Sequence, residues 1–174
     1  ISQEFERPPE VWVSAVASYQ PQKISSLQPK EIPQLGHVEL IQWKGKDGVP
    51  IEGILVLPSD PSKNKPFPLL LACHGGPTGR WPEEFIGSAE GLSVPISFGL
   101  LADAGYAVLA PNPRGSSGYG PKFAAKNFKD LGGKDLEDVL LGVDFLIEKA
   151  IADEKRLAIW GWSYGGYLSA RAIT

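Results

Sequence analysis

The sequence predicts a doubly wound α/β sheet in which most strands run parallel. Short apolar runs at residues 69–73, 106–110 and 157–160 have the length and composition of strands that are buried on both faces. Helical patterns lie between them at residues 95–105 and at residues 135–150, where apolar side chains recur every three or four positions. Strands and helices that alternate in this way form parallel sheets with right-handed crossover connections.

The first 34 residues have a different character. Residues 11–16 alternate as a strand does, and residues 22–27 follow a turn signal and predict a second strand. Two such strands cannot bury a face by themselves. We therefore expect them to belong to a larger all-β unit upstream, with a boundary at Pro29 and Pro33.

From residue 35 onward the α/β pattern begins. Residues 38–43 and 51–57 predict two strands that form a hairpin, because residues 45–48 (GKDG) are turn formers. A polar, proline-rich loop at residues 58–68 then leads to the first buried strand. In sheets of this class the functional loops gather beyond the carboxyl ends of the strands.

The last predicted strand leads into a glycine-rich turn that contains a serine. Residues 157–166 read LAIWGWSYGG, and residues 167–173 predict the start of a helix. This order of strand, sharp turn and helix is typical of a nucleophile elbow, which exposes the serine hydroxyl at the end of a sheet. Gly161 and Gly165 fit the elbow because its strained turn leaves no room for side chains. Ser163 is therefore the candidate catalytic nucleophile.

Two further loops are expected at the same edge, at residues 74–77 (HGGP) and 112–120 (NPRGSSGYG). A serine that attacks a carbonyl needs two backbone N–H donors for the developing oxyanion, and one comes from the residue after the nucleophile. That residue is Tyr164. Gly76 is the first choice for the second donor and Gly75 the next, while a tight turn alone would also explain the glycines of this loop.

His74 and Arg114 lie in these two loops, and each has two interpretations. We favour a His74 ring that is bonded to nearby backbone over a general base. We interpret Arg114 as an anchor of its loop, with contact to a substrate as the alternative. The acidic residues within 135–138 start a helix, where the helix dipole stabilises carboxylates, so we favour that role over catalysis.

Four motifs in order carry a resemblance to a known family. HGGP, NPRGSSGYG, GGKDLEDV at residues 132–139 and GWSYGGY at residues 161–167 resemble the motifs of the prolyl oligopeptidase family of serine peptidases. The acylaminoacyl-peptidase and dipeptidyl-peptidase-like branches match best, and His74 in the first motif favours the acylaminoacyl type. The resemblance implies an α/β-hydrolase fold preceded by a β-propeller. Residues 1–34 then correspond to terminal propeller strands plus a linker, and residues 35–174 to the N-terminal half of the hydrolase domain.

The resemblance also implies a serine-type peptidase that hydrolyses short peptides through an acyl-enzyme on Ser163. In this fold the triad acid and histidine follow the nucleophile along the chain. The residues after Ser163 include no aspartate, glutamate or histidine. We therefore expect a domain truncated after the elbow and inactive alone, whose triad acid and histidine lie beyond Thr174. A carboxylesterase on the same fold and a non-catalytic binding protein are the alternatives.

Composition narrows the range of partners. The net charge is −3 with both signs mixed along the chain, so neither nucleic acid nor a membrane is an expected partner. Cys73 is the single cysteine, which excludes an intrachain disulfide, and we expect no metal and no organic cofactor. The expected partners are peptide substrates. A homo-oligomer and a cytoplasmic location are further expectations.

Overall fold

The computed structural model describes residues 2–28, 36–61, 65–86 and 97–174. The strands are β1 (Ser2–Glu4), β2 (Arg7–Glu10), β3 (Trp12–Val13), β4 (Gln22–Lys23), β5 (His37–Lys44), β6 (Pro50–Leu57), β7 (Phe67–Cys73), β8 (Ala107–Asn112) and β9 (Ala152–Gly161). The helices are α1 (Phe98–Asp103), α2 (Pro121–Ala124), α3 (Lys134–Glu148) and α4 (Tyr164–Ala172), and a 3-10 helix (Ala125–Asn127) follows α2 directly.

One five-stranded sheet organises the chain from β5 onward, with the strand order β5-β6-β8-β7-β9. β6 runs antiparallel to both β5 and β8, whereas β7 runs parallel to both β8 and β9. The α/β class and the β5–β6 hairpin are confirmed. The sheet is mixed. Four of its strands run in one direction, and β6 runs against both of its neighbours.

The two faces of the sheet carry separate apolar clusters. Leu69 and Leu71 of β7 pack in one cluster with residues of α3 and α4, while Leu70 and Ala72 belong to the cluster that contains α1 residues. This alternation follows from the two-residue period of a strand. Helices on both faces make the sheet doubly wound, and the parallel strands β7, β8 and β9 end at a common edge.

Trp43 ties the β5–β6 hairpin to α3. Its indole N–H donates to the Asp138 carbonyl oxygen (2.8 Å), and both groups are buried. The ring lies against Gly53 and Gly142, where a Cβ atom would come within 2.9 and 2.7 Å of ring carbons. Two glycines therefore make room for one large aromatic side chain, which fixes α3 against the sheet.

Several element bounds differ from those expected. β9 begins at Ala152, five residues before the strand expected at 157–160. α4 begins at Tyr164 instead of residue 167, because the elbow turns directly into the helix. No element was predicted for residues 121–127, which form α2 and the 3-10 helix. The first two residues of the helix expected at 95–105 lie outside the described residues.

Residues 2–28 form two separate two-stranded antiparallel ribbons, β1–β2 and β3–β4. The strands expected at residues 11–16 and 22–27 pair over two residues each. Apolar side chains in these two ranges and in the turn between them are largely exposed to solvent, including Val16, Tyr19 and Leu27.

Phe5 connects this N-terminal segment to the sheet. Its carbonyl oxygen accepts a hydrogen bond from the Ile86 N–H (3.0 Å), and its ring packs on the cluster that contains α1 residues. The boundary expected at Pro29 and Pro33 lies outside the described residues. In the described ranges, no helix is long and apolar enough to cross a membrane.

Candidate active site

The turn between β9 and α4 has the geometry of a nucleophile elbow. Ser163 has φ 56° and ψ −115°, a conformation that is strained for any residue with a side chain. The turn packs directly on the end of β7, because a Cβ atom on Gly161 would lie 2.6 Å from the Cys73 carbonyl oxygen. A Cβ atom on Gly165 would collide with the same oxygen. Both glycines are therefore required by close backbone contact as well as by the turn.

Ser163 is exposed at the N-terminus of α4, and its side chain makes no capping hydrogen bond to the helix. The hydroxyl is thus open to solvent and does not cap the helix. Tyr164 is the first residue of α4, so its N–H is one of the helical donors that have no acceptor within the helix. Unpaired N–H groups and the positive end of the helix dipole favour a negative charge at this position.

The loop at residues 74–77 lies against the elbow. A Cβ atom on Gly75 would be 3.7 Å from Ser163 Cβ and 3.4 Å from the Trp162 carbonyl oxygen. Gly76 has φ +147°, and a Cβ atom there would lie 2.5 Å from the Gly79 nitrogen. The structure therefore brings Gly75 beside Ser163, and Gly76 follows it in the same loop.

His74 holds this loop through both ring nitrogens. The Nδ1–H donates to the Gly75 carbonyl oxygen (2.8 Å), and Nε2 lies 2.9 Å from Ser116 Oγ. The ring is 7% exposed and Ser116 is fully buried. Burial lowers the pKa of His74, because it disfavours the charged imidazolium. Ser116 Oγ also lies 2.7 Å from the Pro113 carbonyl oxygen, so its single proton serves either that carbonyl or Nε2. A neutral ring with its proton on Nδ1 requires that Ser116 donates to Nε2.

The bond from His74 to Gly75 has a consequence for Gly76. The Gly75 carbonyl and the Gly76 N–H belong to one planar peptide unit and point in opposite directions. Fixing the carbonyl therefore also fixes the direction of the N–H. Glycines on both sides of this peptide leave its rotation otherwise weakly restrained.

Arg114 anchors the loop at residues 112–120 to α3 and to the β5–β6 turn. Its side chain binds Asp138 through Nε (2.7 Å) and Nη2 (2.8 Å), and Asp47 through Nη1 (2.8 Å) and Nη2 (2.9 Å). The Arg114 N–H also donates to Asp138 Oδ2 (3.1 Å). Arg114 is 4% exposed, so the described geometry leaves its guanidinium little surface for contact with a substrate.

Arg114 is the one cation between two carboxylates in this cluster, and each group shifts the pKa of its partners. Burial raises the pKa of the Asp138 carboxyl, and the Arg114 guanidinium opposes that shift. Hydrogen bonds from Arg114 lower the pKa of Asp47, which lies in the β5–β6 turn. Hydrogen bonds to Asp138 and Asp47 raise the pKa of Arg114. The cluster thus connects the hairpin, α3 and the loop at residues 112–120 through charge-assisted bonds.

Asp135 and Asp138 are the site residues whose contacts sequence reasoning missed. Both are buried, although their position at the start of α3 suggested only an interaction with the helix dipole. Their spacing from the buried apolar residues Val139 and Leu146 was an available signal, since it places them on the core side of the helix. A carboxylate on a buried face requires a partner.

No general base for Ser163 is found within the described residues. Both nitrogens of His74 are engaged, and His37 lies at the start of β5 beside Glu39 (3.2 Å). β5 and β9 are opposite edges of the sheet, about 19 Å apart at the usual strand spacing. Burial raises the pKa of Cys73 to about 12, so this thiol is unreactive. The described side chains include no group of three metal-ligating residues.

Comparison with protein families gives a match that includes β8, β9 and the elbow. Residues 93–174 match the family described as the prolyl oligopeptidase family. Among curated proteins, the chain is 39% identical over 132 residues to the uncharacterized peptidase YuxL of Bacillus subtilis. It is 34% identical over 131 residues to dipeptidyl-peptidase 5 of Schizosaccharomyces pombe. Each alignment covers 75% of this chain, but the chain spans 19% and 18% of those two relatives.

Comparison with solved structures gives the same family of folds. The acylaminoacyl peptidase of Pyrococcus horikoshii superposes with a TM-score of 0.81 at 27% sequence identity. The superposition covers 99% of this chain and 26% of that peptidase. The N-terminal ribbons and the sheet together therefore have a counterpart within one longer peptidase chain.

Proposed function

Because the chain belongs to the prolyl oligopeptidase family, we propose that it is part of a longer serine peptidase that hydrolyses short peptides. The observation that carries this proposal is the convergence of three groups at one edge of the sheet. They are the exposed Ser163 at a strained elbow, the N–H of Tyr164 at the start of α4 and the glycine loop at residues 74–77. The strong similarity to peptidases supports the same reaction class.

The reaction we propose proceeds through an acyl-enzyme. Ser163 Oγ bonds to the peptide carbonyl carbon as its proton passes to a histidine, which we place beyond Thr174 together with the triad acid. The resulting oxyanion accepts hydrogen bonds from the N–H groups of Gly76 and Tyr164, with Gly75 as the next candidate. The carbon–nitrogen bond then breaks, and the histidine returns its proton to the leaving amine. Water hydrolyses the Ser163 ester by the same route and releases the acid.

His74 has a positioning role in this proposal. Its Nδ1–H holds the Gly75 carbonyl, and thereby directs the Gly76 N–H, while Ser116 holds its other nitrogen. Loss of one oxyanion donor typically costs about 3 kcal/mol of transition-state stabilisation. Arg114 acts in the same proposal as an anchor of the neighbouring loop and does not bind substrate.

The domain assignment is also a proposal. We assign residues 1–34 to the end of an upstream β-propeller plus a linker, and residues 35–174 to the first half of an α/β-hydrolase domain. The names of the relatives favour acylaminoacyl- or dipeptidyl-peptidase activity for the complete protein. The 174-residue chain alone is proposed to be inactive, since it holds a nucleophile and oxyanion donors without a base.

The proposal is tested with matched substrates on the full-length protein. An acylaminoacyl anilide, a dipeptidyl anilide and a short acyl ester are compared for wild type and Ser163→Ala. We expect turnover of at least one anilide, abolished by Ser163→Ala and absent from the 174-residue chain. Ester turnover without anilide turnover would favour a carboxylesterase. Absence of all three activities in a folded protein would favour a non-catalytic binding homologue.

A further inference from the structure

The side chain of Tyr164 is tethered to the start of α3. Its hydroxyl donates to Asp135 Oδ2 (2.5 Å) and accepts a hydrogen bond from the Gly132 N–H (3.0 Å). Because the Gly132 N–H can only donate, the tyrosine proton is directed to the carboxylate. The tether therefore has a fixed donor and a fixed acceptor.

Asp135 is a firm point of attachment. It is 1% exposed, and its Oδ2 also accepts from Asn127 Nδ2 (3.4 Å). It lies in the first turn of α3, where the helix dipole favours a carboxylate. The next residues of that helix on the buried side, Leu136 and Val139, belong to the core cluster. The tether thus joins the elbow to a packed helix.

The space beneath the elbow leaves the tyrosine ring no second position there. A cavity lined by Asp135, Tyr164, His74 and Arg114 has a volume of about 10 Å³. This is about the room that one water molecule needs. The Tyr164 ring also packs on Tyr167, with 5.5 Å between ring centroids. The ring is therefore confined on the side that faces Asp135 and is packed against Tyr167.

A tether on the Tyr164 side chain affects both the Ser163 hydroxyl and the Tyr164 N–H. Ser163 holds a strained backbone conformation, which persists only where the surrounding contacts impose it. The contact of Gly161 and Gly165 with Cys73 fixes the turn on the β7 side. The Tyr164 side chain fixes it on the α3 side, one residue from the Ser163 hydroxyl and on the residue that supplies the N–H donor.

We propose that Asp135 is a positioning residue, which acts through the Tyr164 hydroxyl to hold the Ser163 hydroxyl and the Tyr164 N–H in the geometry of attack. This inference rests on the serine peptidase function proposed above. It assigns a role in the reaction to a carboxylate that touches neither the substrate nor Ser163.

The test uses Tyr164→Phe, Asp135→Ala and Asp135→Asn in the full-length protein. Tyr167→Phe is the matched control, since Tyr167 lies on the same helix and its hydroxyl donates to the Leu131 carbonyl oxygen (3.3 Å). Displacement of a reacting group by about 1 Å can cost about 100-fold in rate. We expect kcat per titrated active site to fall about 10- to 100-fold in Tyr164→Phe and Asp135→Ala, with KM within about twofold.

The remaining expectations separate positioning from a general loss of structure. Asp135→Asn retains an oxygen acceptor and should recover part of kcat, and the double variant Tyr164→Phe/Asp135→Ala should be no slower than the slower single variant. A peptidyl aldehyde adds Ser163 Oγ to form a hemiacetal, so its affinity should fall with kcat. The affinity of the matching peptidyl alcohol, which forms no bond, should not change.

Wild-type kcat per titrated site in Tyr164→Phe would overturn the inference, as would a raised KM with unchanged kcat. Activity lost only in proportion to folded protein, measured by circular dichroism, would also overturn it. Turnover that persists in Ser163→Ala would instead refute the proposed function. The two failures are therefore distinguishable, because only the second involves Ser163.

Discussion

The elbow and the loop at residues 74–77 meet at one edge of the sheet, but different forces hold them. The elbow is fixed largely by backbone contact, with Gly161 and Gly165 pressed against the Cys73 carbonyl. The loop is fixed by side-chain hydrogen bonds from His74 to Gly75 and Ser116. Steric fixation tolerates no added atom, whereas hydrogen-bonded fixation depends on particular donors and on their protonation. The first three predictions below test this difference.

The largest effect is expected at Gly165. A methyl group there collides with the Cys73 carbonyl, so Gly165→Ala must shift the elbow away from β7. We expect a loss of about 3 kcal/mol in the free energy of unfolding, measured with urea. A loss of at least about 100-fold in kcat/KM should accompany it.

Gly166→Ala is the control for this substitution. A Cβ atom at position 166 would lie 3.3 Å from the Gly161 carbonyl oxygen, which small adjustments can accommodate. Near-equal effects of the two substitutions would contradict steric fixation of the elbow.

His74→Ala should release the loop at residues 74–77, with a smaller loss in the free energy of unfolding than Gly165→Ala. The Gly75–Gly76 peptide loses its restraint, so the Gly76 N–H no longer points at the oxyanion. We expect kcat/KM for a peptide anilide to fall about 100-fold. His37→Ala, at the opposite edge of the sheet, is the control and should stay near wild type. Equal activity of the two variants would show that His74 does not position the Gly76 N–H.

Acidification should act on the loop and not on the elbow. The pKa of His74 in the folded protein is lowered by burial, so the unfolded chain binds a proton more readily than the native state. The contribution of His74 to stability is therefore full above its unfolded pKa of about 6.5 and declines as the pH falls below that value. Urea midpoints between pH 7.5 and 5 should fall more steeply for wild type than for His74→Ala. Equal pH dependence of the urea midpoints in the two proteins would show that His74 does not contribute to stability in this way.

The smallest effect is expected from a strained residue outside the site. Ala150 has φ 53°, close to the value of Ser163, and ends α3 with the Ile151 N–H bonded to the Leu146 carbonyl (2.9 Å). Glycine is the usual residue at this position of a helix end. Ala150→Gly should raise the free energy of unfolding by about 0.5–1 kcal/mol without a change in kcat. A stability decrease would show that the strain is not relieved.

The sequence predicted best what the backbone itself requires. The spacing of the glycines around Ser163 predicted the elbow. The apolar runs of β7 and β8 predicted the buried strands at the centre of the sheet. These patterns are local, because a strained turn or a doubly buried strand constrains the residues that form it. The same holds for α3, whose apolar spacing spans nearly the whole observed helix.

The side-chain partners could not be predicted in the same way. The bonds from Arg114 to Asp47 and from Tyr164 to Asp135 join residues that are 67 and 29 positions apart, respectively. The local sequence pattern does not identify such partners, because folding can bring together a carboxylate and a donor at almost any separation along the chain. The antiparallel course of β6 also depends on the sheet as a whole, and α2 is too short for a periodic signal.

The central claim is that the elbow presents Ser163 as the nucleophile, and a fluorophosphonate probe tests it most directly. The full-length protein is labelled beside Ser163→Ala and Ser169→Ala, the latter a serine on the same helix whose hydroxyl donates to the Gly165 carbonyl (2.7 Å). The account predicts labelling of wild type and Ser169→Ala at Ser163, and none of Ser163→Ala. Labelling that persists in Ser163→Ala, or an unlabelled but folded wild type, would contradict it.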